Sequence, residues 1–391
     1  MHILLYHFYS RTPNPVYQEV ANNLRQLGHT VWLGSRDEDD NLAWHDGKQI
    51  IDVILGPYSK NPSTSVAGKL QENLGFLSYI MRVRAFIRQV APDVVQANIN
   101  NLGWLLPLGG PAKTAFMYDV RQINEAVDSS WKQRLNEKRT ILNMRLCARF
   151  LYDHTFFCHK EAARKVLGEN WAKYSSSIPV GIDHQFLSVP TTDEASNIAP
   201  EDLSPVRFVY IGTLSRLRSL EKLLWAASTA SQSNRKMRLD LIGPDTSGGY
   251  YQKLIQELDI GNMVSIKPPV AYEQVPQTLL SYDVGLAYVP DRPTWHYQPT
   301  IKVLEYRALG MPIISTDVAT HREIVEHNKN GLLVADTPEA LADGMLRYLD
   351  DGQFLSECQT NARAMRRGTT WLEVAQMYEE AYQRFATAQA P

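Results

Sequence analysis

Lys302 and Glu305 stand three residues apart at the head of the run Pro299-Thr-Ile-Lys-Val-Leu-Glu-Tyr-Arg-Ala-Leu-Gly-Met-Pro-Ile-Ile-Ser-Thr316, one base and one acid in an otherwise apolar segment. Pro299 suits a helix entrance. Val303, Leu304, Ala308 and Leu309 recur at helical spacing as a buried stripe, Gly310 stops the helix, and Pro312 opens a β-rich run. Both ionisable side chains therefore fall in or near the first helical turn. Backbone N–H groups at a helix start attract anions, a lysine there strengthens the attraction, and a carboxylate one turn on accepts hydrogen bonds from paired sugar hydroxyls. A nucleoside diphosphate satisfies all of these groups. The plainer reading of the same pair is a solvated lysine and a glutamate that favours the helix dipole.

A second constellation lies in Ile211-Gly212-Thr213-Leu214-Ser215-Arg216-Leu217-Arg218-Ser219, which joins a strand to a helix beginning near Leu220. A glycine turn with basic side chains at a helix entrance suits phosphate, although taken alone Arg216 and Arg218 also read as surface cations.

The elements that must position these groups alternate from the first residue. Strand Ile3–Tyr6, a loop through Ser10 to Pro15, a helix over about Val16–Leu27 and strand Thr30–Leu33 make one βαβ unit. A helix from about Leu77 to Val90 leads into Val94–Gln96, Phe116–Asp119 is a further strand, and helices of mixed charge run from about Ser129 to Leu151. Phe156–Cys158 and Ser177–Asp183 close this half, and the polar stretch Ser188–Pro205 reads as a linker. The second half restarts with strands at Arg207–Ile211, Leu239–Ile242, Val264–Ile266, Val284–Tyr288, Pro312–Ser315 and Gly331–Val334. Late helices cover Pro338–Leu349 and about Thr370–Thr387, the last with an apolar face of Trp371, Val374, Met377, Tyr378 and Tyr382. The expectation is an α/β protein of two doubly wound parallel-sheet domains, residues 1–187 and 204–370, with helix 371–391 packing back on the first. Ligand then sits in a cleft at the carboxyl ends of the strands.

Composition narrows the function. At 391 residues the chain exceeds one ordinary core, at roughly 150 residues per domain. Forty basic against 42 acidic residues give a net charge of −2, against a general nucleic-acid binder. The first residues enter a strand without the charge and apolar pattern of a secretory signal, and no window approaches about 18 uninterrupted apolar residues, so a cytoplasmic protein is expected. Three scattered cysteines, Cys147, Cys158 and Cys358, have no zinc or disulfide spacing, and the ten histidines show no metal-ligand pattern, so no metal is expected. The segment Phe76–Val90 carries Arg82, Arg84 and Arg88 among apolar residues and could lie on an anionic membrane, but a helix packed on the sheet fits it better.

The run from Pro299 to Thr316 closely resembles the nucleotide-sugar motif of the glycosyltransferases of family 4, whose fold is the two-domain GT-B architecture, two Rossmann-like domains facing across a cleft. The family's glycine turn usually continues with arginine, a variable segment, then lysine and glycine. Aligned on Gly212, Leu223, Leu224 and Ala226, Arg218 takes the lysine position and Thr213 replaces the arginine, so either Arg216 or Lys302 supplies the second positive charge. The segment Lys267-Pro-Pro-Val270 resembles the one whose backbone holds the nucleobase. Family members often carry two glutamates, one at the Glu305 position and one eight residues earlier, where this chain has Tyr297. The resemblance thus implies ribose binding by Glu305, with the backbone of Gln298, Thr300 and Ile301 near phosphate or sugar. In the first half the match is weaker. The opening loop has Asn14-Pro15 in place of paired glycines, Arg121 in Tyr118-Asp119-Val120-Arg121 takes the place of a catalytic-region histidine or arginine, and Ile178–Asp183 resembles the interdomain crossing. An Arg121 paired structurally with Asp119 is the equal alternative.

The resemblance implies a metal-independent, retaining transferase that moves a sugar from a nucleoside diphosphate sugar to a hydroxyl of a saccharide or lipid-linked acceptor, in polysaccharide or glycoconjugate synthesis. Arg218, Lys302 and Arg121 form its catalytic set, and Gly212, Thr213, Arg216, Arg218, Val270, Gln298, Thr300, Ile301, Lys302 and Glu305 its donor-binding set. Expected partners are the donor and the acceptor, with no cofactor and no nucleic acid, and a peripheral contact with the inner face of the membrane left open. A catalytically silent nucleotide-sugar-binding subunit and a sugar-nucleotide epimerase of the same architecture remain alternatives.

Overall fold

In the computed structural model, residues 1–7, 15–36, 42–47, 50–54, 66–98, 103–123, 131–189, 205–233 and 236–387 are described. The chain divides into two units, Met1–Gly181 with Thr369–Pro391, and Ile182–Gly368. Most of the opening loop, including Asn14, and residues 190–204 of the expected linker lie outside the described residues.

The first unit contains β1 (His2–His7), α1 (Pro15–Gln26), β2 (Thr30–Arg36), β3 (Leu42–His45), β4 (Ile50–Ile54), α2 (Val66–Val90), β5 (Val94–Asn98), β6 (Ala115–Val120), α3 (Trp131–Leu146), β7 (His154–Phe157), α4 (Lys160–Leu167) and β8 (Ser175–Ser177). They form an eight-stranded sheet in the order β4-β3-β2-β1-β5-β6-β7-β8. The strands from β2 to β8 in that order are parallel, as expected, but β3 and β4 pair antiparallel at one edge. The reason is loop length, since the few residues between β2, β3 and β4 are too short for a crossover helix. On α2, Phe76, Tyr79, Ile80, Val83, Phe86 and Ile87 are buried, so its main apolar face packs inward.

The second unit contains α5 (Gln185–Ser188), β9 (Val206–Ile211), α6 (Glu221–Ala230), β10 (Met237–Ile242), α7 (Tyr250–Glu257), β11 (Val264–Lys267), α8 (Val275–Leu279), β12 (Val284–Ala287), α9 (Pro293–Tyr297), α10 (Ile301–Leu309), β13 (Ile313–Thr316), β14 (Gly331–Val334), α11 (Pro338–Asp350) and α12 (Gly352–Ala364). Its six strands run parallel in the order β11-β10-β9-β12-β13-β14. Such strands are apolar on both faces because helices cover both, and Phe208, Leu239, Leu286 and Ile313 are fully buried here. Ile182 and Phe186 belong to this unit's core beside Val303 and Tyr306, so the chain changes units at Gly181, short of residue 187. The final helix, α13 (Trp371–Thr387), belongs to the first unit. There it buries Trp371, Val374, Tyr378 and Tyr382, and Glu379 meets His29 at 2.9 Å, while Met377 of the expected apolar face is 39% exposed.

One close approach in the second unit sets the position of α10. Tyr306 lies flat on β12 because residue 285 is glycine, and a Cβ there would come within 2.6 Å of the Tyr306 ring. The Tyr306 hydroxyl meanwhile accepts from the Ile211 N–H at 3.2 Å and donates to the Val209 carbonyl at 3.3 Å, locking α10 to β9. Gly285→Ala is therefore expected to lower stability by about 1–3 kcal/mol through overpacking. A urea-denaturation midpoint equal to that of the parent would contradict this.

Candidate active site

The helix α10 begins where its sequence demands. Thr300 is extended at its N-terminal boundary, and Gly310 ends it in the left-handed conformation at φ +71. Lys302 and Glu305 do not point to solvent, since both are buried, as is Thr300. The buried stripe holds Val303, Ala308 and Leu309 as expected, with Tyr306 in it and Leu304 only half-buried.

The turn after β9 is tied to the end of β10. Gly212 donates to the Ile242 carbonyl at 2.9 Å and Leu214 to that of Pro244 at 2.9 Å. Gly212 has φ +139, in the region that only glycine adopts readily. A Cβ placed on Gly212 would lie 3.7 Å from the Lys302 Nζ, so this turn and the head of α10 meet. The chain then makes a 3-10 turn over Arg216–Arg218, passes Ser219 in the left-handed region, and enters α6.

Three of the expected charges gather here. Lys302 Nζ sits 3.9 Å above the Tyr210 ring and has no ion pair among the described residues. Arg218 lies over Trp295 at 4.6 Å, and its Nη1 is buried without a hydrogen-bond partner. Burial first, then repulsion from Arg218, holds the Lys302 ammonium well below its usual pKa, and Glu305 only partly offsets them. Burial raises Glu305 from 4.5 to about 7, against the pull of a hydrogen bond from Tyr272 and of the Lys302 charge. Two basic side chains thus interact here with only one carboxylate to offset them. That arrangement is costly in an empty protein and suits a ligand with more than one negative charge.

Arg216 does not join them. It is exposed and stacks on Tyr250 at 3.5 Å, an aromatic face that captures it on the outer side of the turn. Of the two residues considered for the second positive charge, Lys302 is the one beside Gly212. Thr213 is exposed, Val270 packs at the edge of the α10 core, Gln298 is half-buried, and Ile301 is 42% exposed.

Several supporting residues carried no signal in the sequence. His321 is buried, and its ring nitrogens meet Thr300 Oγ1 at 3.2 Å and Ser315 Oγ at 2.6 Å. Burial, with Lys302 nearby, depresses its pKa to about 3, so it spans these groups as a neutral ring and adds no third cation. The same turn holds α9, because Thr320 donates to the Trp295 carbonyl at 2.7 Å and the Ala319 N–H to His296 at 3.2 Å. Asp336 ties the loop after β12 to α6, accepting from Tyr288 at 2.8 Å and from the Asp291 N–H at 2.8 Å while pairing with Lys222 at 2.8 Å. These contacts join residues far apart in sequence, so no local spacing announces them.

Arg121 belongs to the first unit, at the end of β6. Its Nε donates to Asp119 at 2.9 Å, the pairing that a structural role requires, and the same carboxylate accepts from Tyr17 at 2.6 Å and Gln96 at 3.1 Å. Nη1 and Nη2 of Arg121 are nevertheless buried without hydrogen-bond partners. Among the described residues no group of three or more histidine, cysteine, aspartate or glutamate side chains is placed to hold a metal ion. No described helix is long and apolar enough to cross a membrane.

Residues 191–365 match the family model of the glycosyl transferases group 1. The D-inositol 3-phosphate glycosyltransferase of Corynebacterium urealyticum is 23% identical over 405 residues, covering 96% of this chain and 91% of that protein. Among solved structures, sucrose-phosphate synthase from Thermosynechococcus elongatus aligns with a TM-score of 0.72 at 16% identity, covering 99% of this chain and 100% of that one. Anabaena HepE in complex with UDP and glucose aligns at 0.66 and 16% identity, with 98% and 100% covered. Residues 191–365 are thus similar to the group 1 glycosyl transferases, and the chain has the GT-B fold.

Proposed function

We propose that this protein is a retaining, metal-independent glycosyltransferase of family 4 that moves a sugar from a nucleoside diphosphate sugar to a hydroxyl of a saccharide or lipid-linked acceptor, in polysaccharide or glycoconjugate synthesis in the cytoplasm. The observation that carries it is the pair of underneutralised basic side chains, Arg218 and Lys302, with the buried Glu305 carboxylate one helical turn beyond Lys302. As the glycosidic bond of the donor breaks, negative charge grows on the diphosphate while the sugar becomes oxocarbenium-like. Fixed cations aimed at that charge lower the barrier. Glu305 accepts the two ribose hydroxyls, the backbone of the segment ending at Val270 holds the nucleobase, and the backbone of Gln298, Thr300 and Ile301 adds donors at the head of α10. The acceptor hydroxyl attacks from the side the leaving group departs, so no carboxylate nucleophile is required, consistent with Tyr297 in place of a glutamate. Arg121 keeps the catalytic role that its position in the family implies.

UDP in the HepE complex and the inositol phosphate in the name of the curated relatives make UDP-glucose and a phosphorylated polyol sensible first substrates. Arg218→Ala and Glu305→Ala are each expected to weaken UDP binding and slow sugar transfer by about one to two powers of ten, from charge-assisted bonds worth roughly 1.5–3 kcal/mol. Unchanged donor affinity and turnover in both variants would remove the assignment. A donor left unhydrolysed and untransferred while UDP still binds would instead identify a silent binding subunit.

A further inference from the structure

α3 and the turn that follows it present a surface the transfer chemistry does not use. Trp131, Leu135, Leu142 and Leu146, with Phe150 one turn beyond, are between 45% and 74% exposed. At about 100° per residue the four helical positions fall within roughly 60° of the helix circumference, so they form one stripe. The opposite side holds the helix to its unit, where Met144, Cys147 and Ala148 are buried. Cations flank the stripe on both sides. Residues 131–150 contain six basic side chains, Lys132, Arg134, Lys138, Arg139, Arg145 and Arg149, against the single acid Glu137, a local charge of +5 on a chain of −2. Glu137 is itself 3.7 Å from Lys165, and Lys132, Arg134, Lys138 and Arg139 have no ion pair among the described residues.

We propose that the α3 stripe, Trp131, Leu135, Leu142, Leu146 and Phe150, is a docking surface for a membrane leaflet rich in anionic phospholipid. The apolar side chains enter the boundary between headgroups and acyl chains, and the flanking lysines and arginines reach the phosphates. A nucleic acid would reward the cations but not the exposed leucines, whereas an anionic bilayer matches both. Lipid binding needs neither donor nor acceptor, so it stands or falls apart from the transfer reading.

The test is co-sedimentation of the full chain with vesicles of phosphatidylcholine alone and of phosphatidylcholine mixed with phosphatidylglycerol. Binding is expected to the mixed vesicles only, and to fall on going from about 0.1 M to about 1 M salt, as the screening length shrinks from about 10 Å to about 3 Å. Neutralising Lys132, Arg134, Lys138 and Arg139 together to glutamine should lower the partition coefficient by about fivefold per charge, several hundredfold in all. Leu142→Asp with Phe150→Asp should lower it at least about tenfold with the thermal midpoint unchanged, because both side chains are exposed. Equal binding to the two vesicle types, no binding to either, or a stripe variant that sediments like the parent would each overturn the proposal. So would a parent that is dimeric by light scattering and becomes monomeric in the stripe variant without vesicle affinity, since the stripe would then be covered by a second copy.

Discussion

Glu305→Gln is expected to lower donor affinity by about a hundredfold while making the ligand-free protein more stable above pH 7. The two effects share one cause. A carboxylate that accepts both hydroxyls of a ribose gives up two charge-assisted hydrogen bonds when it becomes an amide, and about 2.7 kcal/mol corresponds to that factor. In the empty protein, however, the same carboxylate is a buried charge, raised from 4.5 to about 7 by burial against the pull of Tyr272 and Lys302. Between those two values the folded state keeps a proton that the unfolded chain has lost. Stability therefore declines as pH rises through that window, and the deficit is complete above about pH 7, at roughly 3 kcal/mol. Glutamine removes the deficit. Urea denaturation at pH 5 and pH 8, with calorimetric titration of UDP, reads both halves, and a variant less stable than the parent at pH 8 would contradict the account. Tyr272→Phe should act in the opposite sense on the midpoint. It removes the hydrogen bond that favours the charged form, so donor binding should weaken at a higher pH than in the parent.

How much of this site could be read from residue order depends on how local each contact is. The bounds of α10 were readable because Pro299 and Gly310 act on their own backbone, and Gly310 does adopt the left-handed conformation. The strands of the second sheet were readable as apolar runs because both faces of a parallel sheet are covered. Burial of Lys302 and Glu305 was not. A lysine at a helix start usually reaches water, and here Tyr210 from β9, Trp295 from α9 and Tyr272 from the segment after β11 close around the charged cluster. Each aromatic comes from a different element, so no period links it to the residue it covers. The edge strands β3 and β4 give little signal for another reason, because they are runs of only four and five residues with no helix between them to complete a βαβ unit. Arg216 and Arg218 illustrate the limit most directly. Two residues apart in the same turn, they stack on different aromatics, Tyr250 and Trp295, and only the second leaves a buried nitrogen unpaired.

Lys302→Met is expected to slow sugar transfer by about two powers of ten and to raise the stability of the empty protein at neutral pH. Burial and the Arg218 charge hold the Lys302 ammonium well below its usual pKa, so the folded state releases a proton that the unfolded chain retains. The resulting penalty is fully present below the folded value and fades only as pH climbs toward 10.5, which places neutral pH on the penalised side. A methionine of similar shape avoids it. On the proposed reading a bound diphosphate neutralises the same charge as it grows, so the loss of Lys302 is felt most in the transition state. The two cations should also be coupled. In the parent, burial and the Arg218 charge disfavour the Lys302 ammonium, a repulsion that a bound diphosphate must overcome. Arg218→Ala relieves that repulsion, which offsets some of its own cost. In a Lys302→Met background there is nothing to relieve, and Arg218→Ala then exerts its full effect. The double variant should therefore lose more than the two single losses together, and a double-mutant cycle on kcat/KM measures the difference. A double variant whose loss equals the sum of the two single losses would mean that the two side chains act independently and do not share one charge.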